Sequence, residues 1–227
     1  MKSRGRRDGG IDRRVAWGAF ALVVAILPVS CLNAPFPEPL VLQHMPTIAM
    51  LVGLAGCIHW RWLRTSSVLA CLGFVVLHIL GARWIYSYVP YDEWTRLLFG
   101  FSLSDSMGWE RNHYDRFVHF FSGVFLVWPA AELLMRYGGM TRRGAIVQSV
   151  AIVLAIGAVY EVAEWQLAVW MSPEAAEAYN GQQGDMWDPQ CDIALAGLGA
   201  VIMACVLLPF GSGNERPAMK APPSIDQ

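Results

Sequence analysis

Glu161 and Glu164 sit inside an apolar run, about Ala145 to Met171, that is long enough to cross a bilayer, and no other feature restricts the fold so tightly. Three residues apart, the two carboxylates project to one face of a helix about a turn from each other. Hydrocarbon cannot solvate them, so they must face protein or water. Three other apolar segments carry ionisable residues at matching depths: His78 in one, Asp115 and His119 in another, Asp188 and Asp192 in a third. The arrangement expected is a bundle closed around one polar cluster.

The whole composition agrees. The 227 residues are 55% hydrophobic and 15% charged, with mean hydropathy +0.38, which is too apolar for a soluble domain of this length. The lipid bilayer is the partner this implies. A net charge of −1 and the lack of a basic face beyond the first fourteen residues argue against a nucleic-acid partner. The five cysteines form no CxxC or zinc-finger spacing, so they read as packing residues. Cys31 and Cys191 fall on the same side of the membrane in the topology below, but nothing in the sequence brings their helices together.

The fold class expected is all-α, a polytopic membrane protein with six transmembrane helices. The spans cover about 15–32, 40–59, 67–86, 114–137, 145–171 and 188–210, preceded by a basic N-terminus (1–14) and followed by a disordered tail (211–227). The first apolar run exceeds a signal-peptide core and lacks a small-x-small cleavage site, so it is read as an uncleaved span. Asn33 to Pro39 and Ser172 to Trp187 read as loops. Tyr88 to Glu110 is too polar to cross, and Leu97, Leu98 and Phe101 suit a short helix lying on the membrane. Trp84, Trp165, Trp170 and Trp187 fit an aromatic belt. No internal repeat is visible.

Orientation follows from Lys and Arg. Thirteen of the 17 fall on one side (the N-terminal six, Arg61, Arg64, Arg136, Arg142, Arg143, Arg216 and Lys220) and four on the other (Arg83, Arg96, Arg111 and Arg116). By the positive-inside rule both termini are cytoplasmic. His78, Asp115, His119, Glu161, Glu164, Asp188 and Asp192 then share one level near the outer face. Glu132 lies about 25 Å deeper by the 1.5 Å helical rise and pairs with Arg136 at i+4.

Five carboxylates cannot all remain charged at close range, since two unit charges about 6 Å apart repel by roughly 3 kcal/mol at an effective dielectric near 20. Three remedies exist, and each is a different function. One divalent cation, with Zn, Mn, Mg or Fe suited to an oxygen and imidazole set, would make a site able to act on an envelope or lipid-linked substrate. Shared protons would suit a relay or a proton-coupled transporter. Arg83, Arg111 and Arg116 would instead neutralise the acids in a structural network. In the first case Asp115, His119, Asp192 and His78 are the candidate ligands and Glu161, Glu164 and Asp188 the acid/base groups, with Arg111, Tyr160, Asp185 and Gln190 beside them. Asp188 also reads as an ordinary helix-start residue, where Asp is favoured.

Three blocks carry a resemblance: Arg111 to Phe120 (RNHYDRFVHF), Tyr160 to Trp165 (YEVAEW) and Gln183 to Asp192 (QGDMWDPQCD). Together with His78, Gly81, Ala82, Tyr86, Val89 and Pro90, they resemble the signature blocks of the YjdF-type bacterial inner-membrane proteins. The resemblance covers roughly Ser67 to Ala200 and implies a bacterial inner-membrane location, with no activity attached. Arg83 departs from it, standing where His or an uncharged residue is expected. A fainter similarity, through Asp115, His119, Phe120 and Asp192, runs to VanZ-like proteins and implies an envelope role.

Overall fold

The computed structural model describes residues 12–180 and 182–209. The basic stretch before Asp12 and the expected disordered tail lie outside the described residues, as do the side chains of Glu174 and Glu177. Among the described residues all regular structure is helical: α1 (Arg13–Cys31), α2 (Pro37–His59), α3 (Thr65–Arg83), α4 (Tyr91–Phe99), α5 (Leu103–Met107), α6 (Tyr114–Arg136), α7 (Arg142–Trp170), α8 (Pro173–Asn180) and α9 (Asp188–Leu207). Six of these, α1, α2, α3, α6, α7 and α9, are long and apolar enough to cross a membrane. The chain is an all-α multi-pass membrane protein.

Local chemistry sets the ends. Asp12 caps α1 by accepting from the Arg14 and Val15 amides, and Thr141 caps α7 through the Gly144 amide. Helix α2 begins at Pro37 rather than after Pro39, because proline is well tolerated in a first turn where its missing N–H has no partner to lose. Helix α3 ends at Arg83, three residues before the expected Tyr86. There Ile85 (φ 43°) and Tyr86 (φ 58°) both turn left-handed, a conformation costly for side chains of this kind and held here by burial. The turn folds the Tyr86 ring back onto Gly81, where an added Cβ would lie 2.6 Å from it.

Two expectations for the connections need correction. The stretch expected as one surface helix is two, α4 and α5, separated at Gly100 (φ 80°), with Leu97 (85%), Leu98 (70%) and Phe101 (46%) exposed. Inside the expected loop 172–187 lies α8, which starts on proline and is rich in alanine and glutamate.

Helix α3 packs against α1, α2 and α6, while α6 packs against α3, α7 and α9. The first trio is sealed by aliphatic side chains including Leu51, Leu54, Ile58, Val68 and Leu72. The second depends on small residues. A Cβ on Gly123 of α6 would lie 2.1 Å from the Ala196 carbonyl oxygen, and one on Gly199 of α9 would lie 2.0 Å from the Phe120 carbonyl oxygen. Each glycine faces the other helix's backbone, which is how membrane helices gain close van der Waals packing without a hydrophobic drive between them. The outer surface of the bundle, including Val41, Val52 and Val159, is exposed and apolar, as lipid contact requires.

At the end carrying Arg61, Arg64 and Arg136, Glu132 is buried. It accepts from the Arg64 amide (2.9 and 3.0 Å), Ser67 Oγ (2.5 Å) and Arg136 Nη1 (2.9 Å). The expected i+4 pair with Arg136 forms, and Glu132 additionally ties α6 to the start of α3.

Candidate functional site

The block from Arg111 to Tyr114 is occupied by its own positioning. Asn112 donates to the Val89 carbonyl (2.9 Å) and caps the Tyr114 amide (3.0 Å), while the Tyr91 hydroxyl accepts from the His113 amide (3.0 Å). Gln183 clamps the Asn112 backbone from both sides, accepting from its N–H (2.9 Å) and donating to its C=O (3.0 Å). These contacts lock the start of α6 to the start of α9. His113 stacks on Trp109 at 4.4 Å between centroids. Burial, then the charges of Arg116 and Arg111, lower its pKa, which keeps the imidazole neutral at pH 7.

From this frame the acids separate into two groups. In the first, Arg111 Nη1 donates to Asp188 Oδ1 (2.6 Å) and lies 3.5 Å from Asp185 Oδ2, and Arg116 pairs with Asp185 and reaches to 3.6 Å from Asp188. Asp185 also accepts from the Trp187 amide at 2.9 Å. That hydrogen bond first, and then Arg116, hold its carboxyl below the ordinary carboxylate range. Two guanidinium groups thus meet two carboxylates, and the group is balanced.

The second group is not balanced. His119 Nε2 on α6 lies 3.6 Å from Asp115 Oδ1 on the same helix and 3.5 Å from Glu161 Oε1 on α7. Donor atoms of Asp115, His119 and Asp192, the last from α9, all lie within 4.8 Å of one another. Asp192 is 2% and Glu161 8% exposed, yet Asp192 Oδ1 and Glu161 Oε1 have no hydrogen-bond partner. A buried acceptor left so is costly unless a proton, water or cation completes it. Tetrahedral ligands about 2.1 Å from a cation lie roughly 3.4 Å apart, so donors at the 4.8 Å limit would need to close by about 1.4 Å to share one ion. Glu164 and Tyr160 stand one turn apart on α7 beside this group and are partly exposed.

Other expected members lie elsewhere. The two ring nitrogens of His78 are both engaged, Nε2 donating to the Gln43 carbonyl (3.2 Å) and Nδ1 hydrogen-bonded to the Tyr86 hydroxyl. His78 therefore borders the cluster as a structural imidazole. Among the described residues Arg83 pairs with no acid: it donates to the Ser30 (2.5 Å) and Leu32 (2.9 Å) carbonyls, joining α3 to the end of α1. Gln190 is exposed. Cys31 and Cys191 are free thiols.

Two cavities flank the unbalanced group. One, of about 440 Å³, lies between α2, α3, α6 and α7, with Asp115, His119, His78 and Tyr160 at one end and apolar side chains as far as Leu54 and Leu63. The other, of about 340 Å³, lies between α7, α8 and α9 and is lined by Glu161, Glu164, Trp165, Asn180, Gln182 and Asp188. Sequence reasoning had no signal for either. It also missed the contributions of Asn112, Gln183 and Gln43, whose partners are distant in the chain, and of Tyr86, which reaches His78 through a turn.

Residues 15–211 match the family described as predicted membrane protein (DUF2238). The chain belongs to this family. It is 35% identical over 138 residues to the inner membrane protein YjdF of Escherichia coli (strain K12), an alignment covering 60% of this chain and 61% of that one. The chain thus spans less than two thirds of that relative's length. No solved structure matches. The resemblance to YjdF-type proteins holds, and the chain is a multi-pass inner-membrane protein.

Proposed function

We propose that Asp115, His119 and Asp192 hold one divalent cation, with Glu161 as the adjacent base, in a site that acts hydrolytically on an envelope or lipid-linked substrate. The observation that carries this is the unbalanced group itself. Arg111 and Arg116 are spent on Asp185 and Asp188, which leaves Asp115, Glu161, Glu164 and Asp192 with one imidazole among them and two buried oxygens without partners. Oxygen and imidazole donors suit Zn, Mn, Mg or Fe. The distribution of Lys and Arg puts this end of the bundle at the outer face.

A cation held by Asp115, His119 and Asp192 would supply Lewis acidity there. Glu161 Oε1, 3.5 Å from His119 Nε2, would take a proton from the water that attacks the substrate. The bond to the leaving oxygen breaks and the proton passes to that oxygen, so the net reaction adds water across an ester or phosphoester.

Proton-coupled transport is the second reading. It needs a polar path through the bundle, and the acid that would continue one, Glu132, is saturated by Arg136, Ser67 and the Arg64 amide. The large cavity below His119 is apolar as well. A structural role describes the Arg111, Arg116, Asp185 and Asp188 network but leaves the second group unexplained.

The test is metal content of the purified full-length protein by elemental analysis, followed by titration of chelator-treated protein with Zn, Mn, Mg and Fe. About one equivalent is expected, with His119→Ala and Asp192→Asn each weakening binding by more than about a hundredfold. Protein that takes up none of the four, or equal uptake by wild type and both variants, would overturn the proposal.

A further inference from the structure

The two cavities differ in chemistry, and the difference describes a ligand. The larger extends from His119 to Leu126 on α6 and from Tyr160 to Val153 on α7, about 10 Å along each helix by the 1.5 Å rise. Beyond its polar end its walls are Pro46, Met50, Phe74 and similar side chains. Among the described residues its flanking helices α2 and α7 make at most sparse contact. At the cluster end α2 is tied to α8 instead, by Gln43 Nε2 donating to the Tyr179 carbonyl at 3.2 Å. Below that tie the α2 and α7 walls of the cavity lie at bilayer depth, so a ligand entering between them would come from lipid.

The smaller cavity offers acceptors in excess. Asn180 Oδ1 and Glu161 Oε1 are buried there without hydrogen-bond partners, alongside Glu164 and Asp188, and the Trp165 indole borders them. Acceptors without partners call for donors, and the carboxylates repel an anionic group. Hydroxyls on a flat apolar ring face meet both conditions, since they donate to carboxylate and amide oxygens while the ring lies on an indole.

We infer that the protein binds an amphiphile whose single hydrocarbon chain occupies the 440 Å³ cavity and whose hydroxyl-rich, uncharged head, of sugar or polyol type, occupies the 340 Å³ cavity. This names the substrate class for the site proposed above and rests on that reading for its chemistry. The binding itself does not need the cation. Its head-to-chain junction falls beside His119 and Glu161, which line one cavity each and lie 3.5 Å apart.

The geometry supplies a variant that fills the chain cavity without disturbing the bundle. Gly157 lines it, and a Cβ there meets nothing within 4 Å. Gly53, also open around its Cβ, is not part of that lining and serves as control. Full-length, chelator-treated protein in phosphatidylcholine nanodiscs would be exposed to hexadecyl glucoside carrying a photoreactive diazirine at the eighth chain carbon, and competed with hexadecyl glucoside, hexadecyl phosphate, hexadecane or glucose.

The result expected is labelling at the Met50, Leu54 and Leu126 level, competed by hexadecyl glucoside at least tenfold better than by the other three. Gly157→Leu should lower labelling at least tenfold while Gly53→Leu leaves it unchanged, and Asn180→Ala should lessen the preference for glucoside. Labelling confined to the outer surface, equal competition by hexadecane or hexadecyl phosphate, or indifference to Gly157→Leu would overturn the inference. Because the protein is metal-free in this assay, a failure here leaves the cation titration standing. Labelling by a protein that binds no cation would leave the ligand class intact and remove only the hydrolytic reading.

Discussion

Replacing Gly199 with alanine adds one carbon, and the structure says where that carbon must go. Its Cβ would sit 2.0 Å from the Phe120 carbonyl oxygen and 3.3 Å from the Val124 amide nitrogen, both backbone atoms that cannot rotate aside. Bringing the first contact to an ordinary separation of roughly 3.3 Å moves α6 and α9 apart by on the order of 1 Å, against the density of a packed interior. Overpacking of this kind costs about 1–3 kcal/mol, and a backbone clash belongs at the upper end. The same displacement separates His119, the residue before Phe120, from Asp192, two turns before Gly199. A site tolerates only about 0.5 Å of such error, so cation affinity should fall about 10–100-fold. Thermal unfolding in detergent with and without added cation reads both effects. Gly53→Ala is the control: its Cβ meets nothing, and alanine in place of a helical glycine should be neutral or stabilising by about 0.5–1 kcal/mol. If Gly199→Ala behaved like Gly53→Ala in unfolding temperature and cation binding, the close helix crossing could not be what holds the site together.

Three further outcomes separate structural acids from functional ones. Glu132→Gln should destabilise the fold by about 2–3 kcal/mol, because a buried carboxylate that accepts from an amide, a hydroxyl and a guanidinium loses its charge, yet it should leave cation binding unchanged; chemical unfolding beside cation titration checks both. Arg111→Ala leaves Asp188, 2% exposed, with only Arg116 at 3.6 Å, and should cost about 3 kcal/mol or more, whereas Asp188→Asn in the same background should restore part of that loss. At Asp92, burial raises the pKa, but the Ser104 amide (2.8 Å), the Ser102 hydroxyl (3.0 Å) and Arg96 outweigh it and the net shift is downward. A carboxyl depressed in the folded state contributes stability above its unfolded pKa, near 3.8, and loses it as pH falls through the lower folded value. Hydrogen exchange across α4 and α5 should therefore accelerate only below about pH 4, and in Asp92→Asn protein this acid-dependent increase should vanish.

The depth of the acids was readable because helix geometry converts sequence position into height. Of the seven groups expected at one level, Asp115, His119, Glu161 and Asp192 lie within a few ångströms of one another. Glu132 was correctly set apart by the same rise, and its partner Arg136 was legible as a local i+4 pair. What the sequence did not disclose was partner choice across helices. Arg83, Arg111 and Arg116 are alike in one dimension, yet Arg83 is taken by carbonyls at the end of α1 while the other two meet Asp185 and Asp188. Nor did the sequence announce that His78 is spent on Gln43 and Tyr86. That arrangement depends on a left-handed turn at Ile85 and Tyr86, two residues that carry no local signal for one.

The division of the acids explains why the cluster needs arginine at all. Asp185 and Asp188 lie at the mouth, and pairing them with Arg111 and Arg116 fixes the α6 and α9 starts while removing two negative charges from the approach. Without that pairing, their field would add to that of Asp115, Glu161 and Asp192 and favour shared protons over a bound cation. With it, Asp115, His119 and Asp192 keep donor atoms within 4.8 Å of one another for the cation proposed above, beside a cavity lined mostly by apolar side chains. Exchanging the signs of a pair, as in Arg111→Asp with Asp188→Arg, keeps the mouth neutral and should retain cation affinity within about tenfold of wild type. Arg111→Asp alone should lose far more, because it adds a fresh negative charge beside a carboxylate that is already buried.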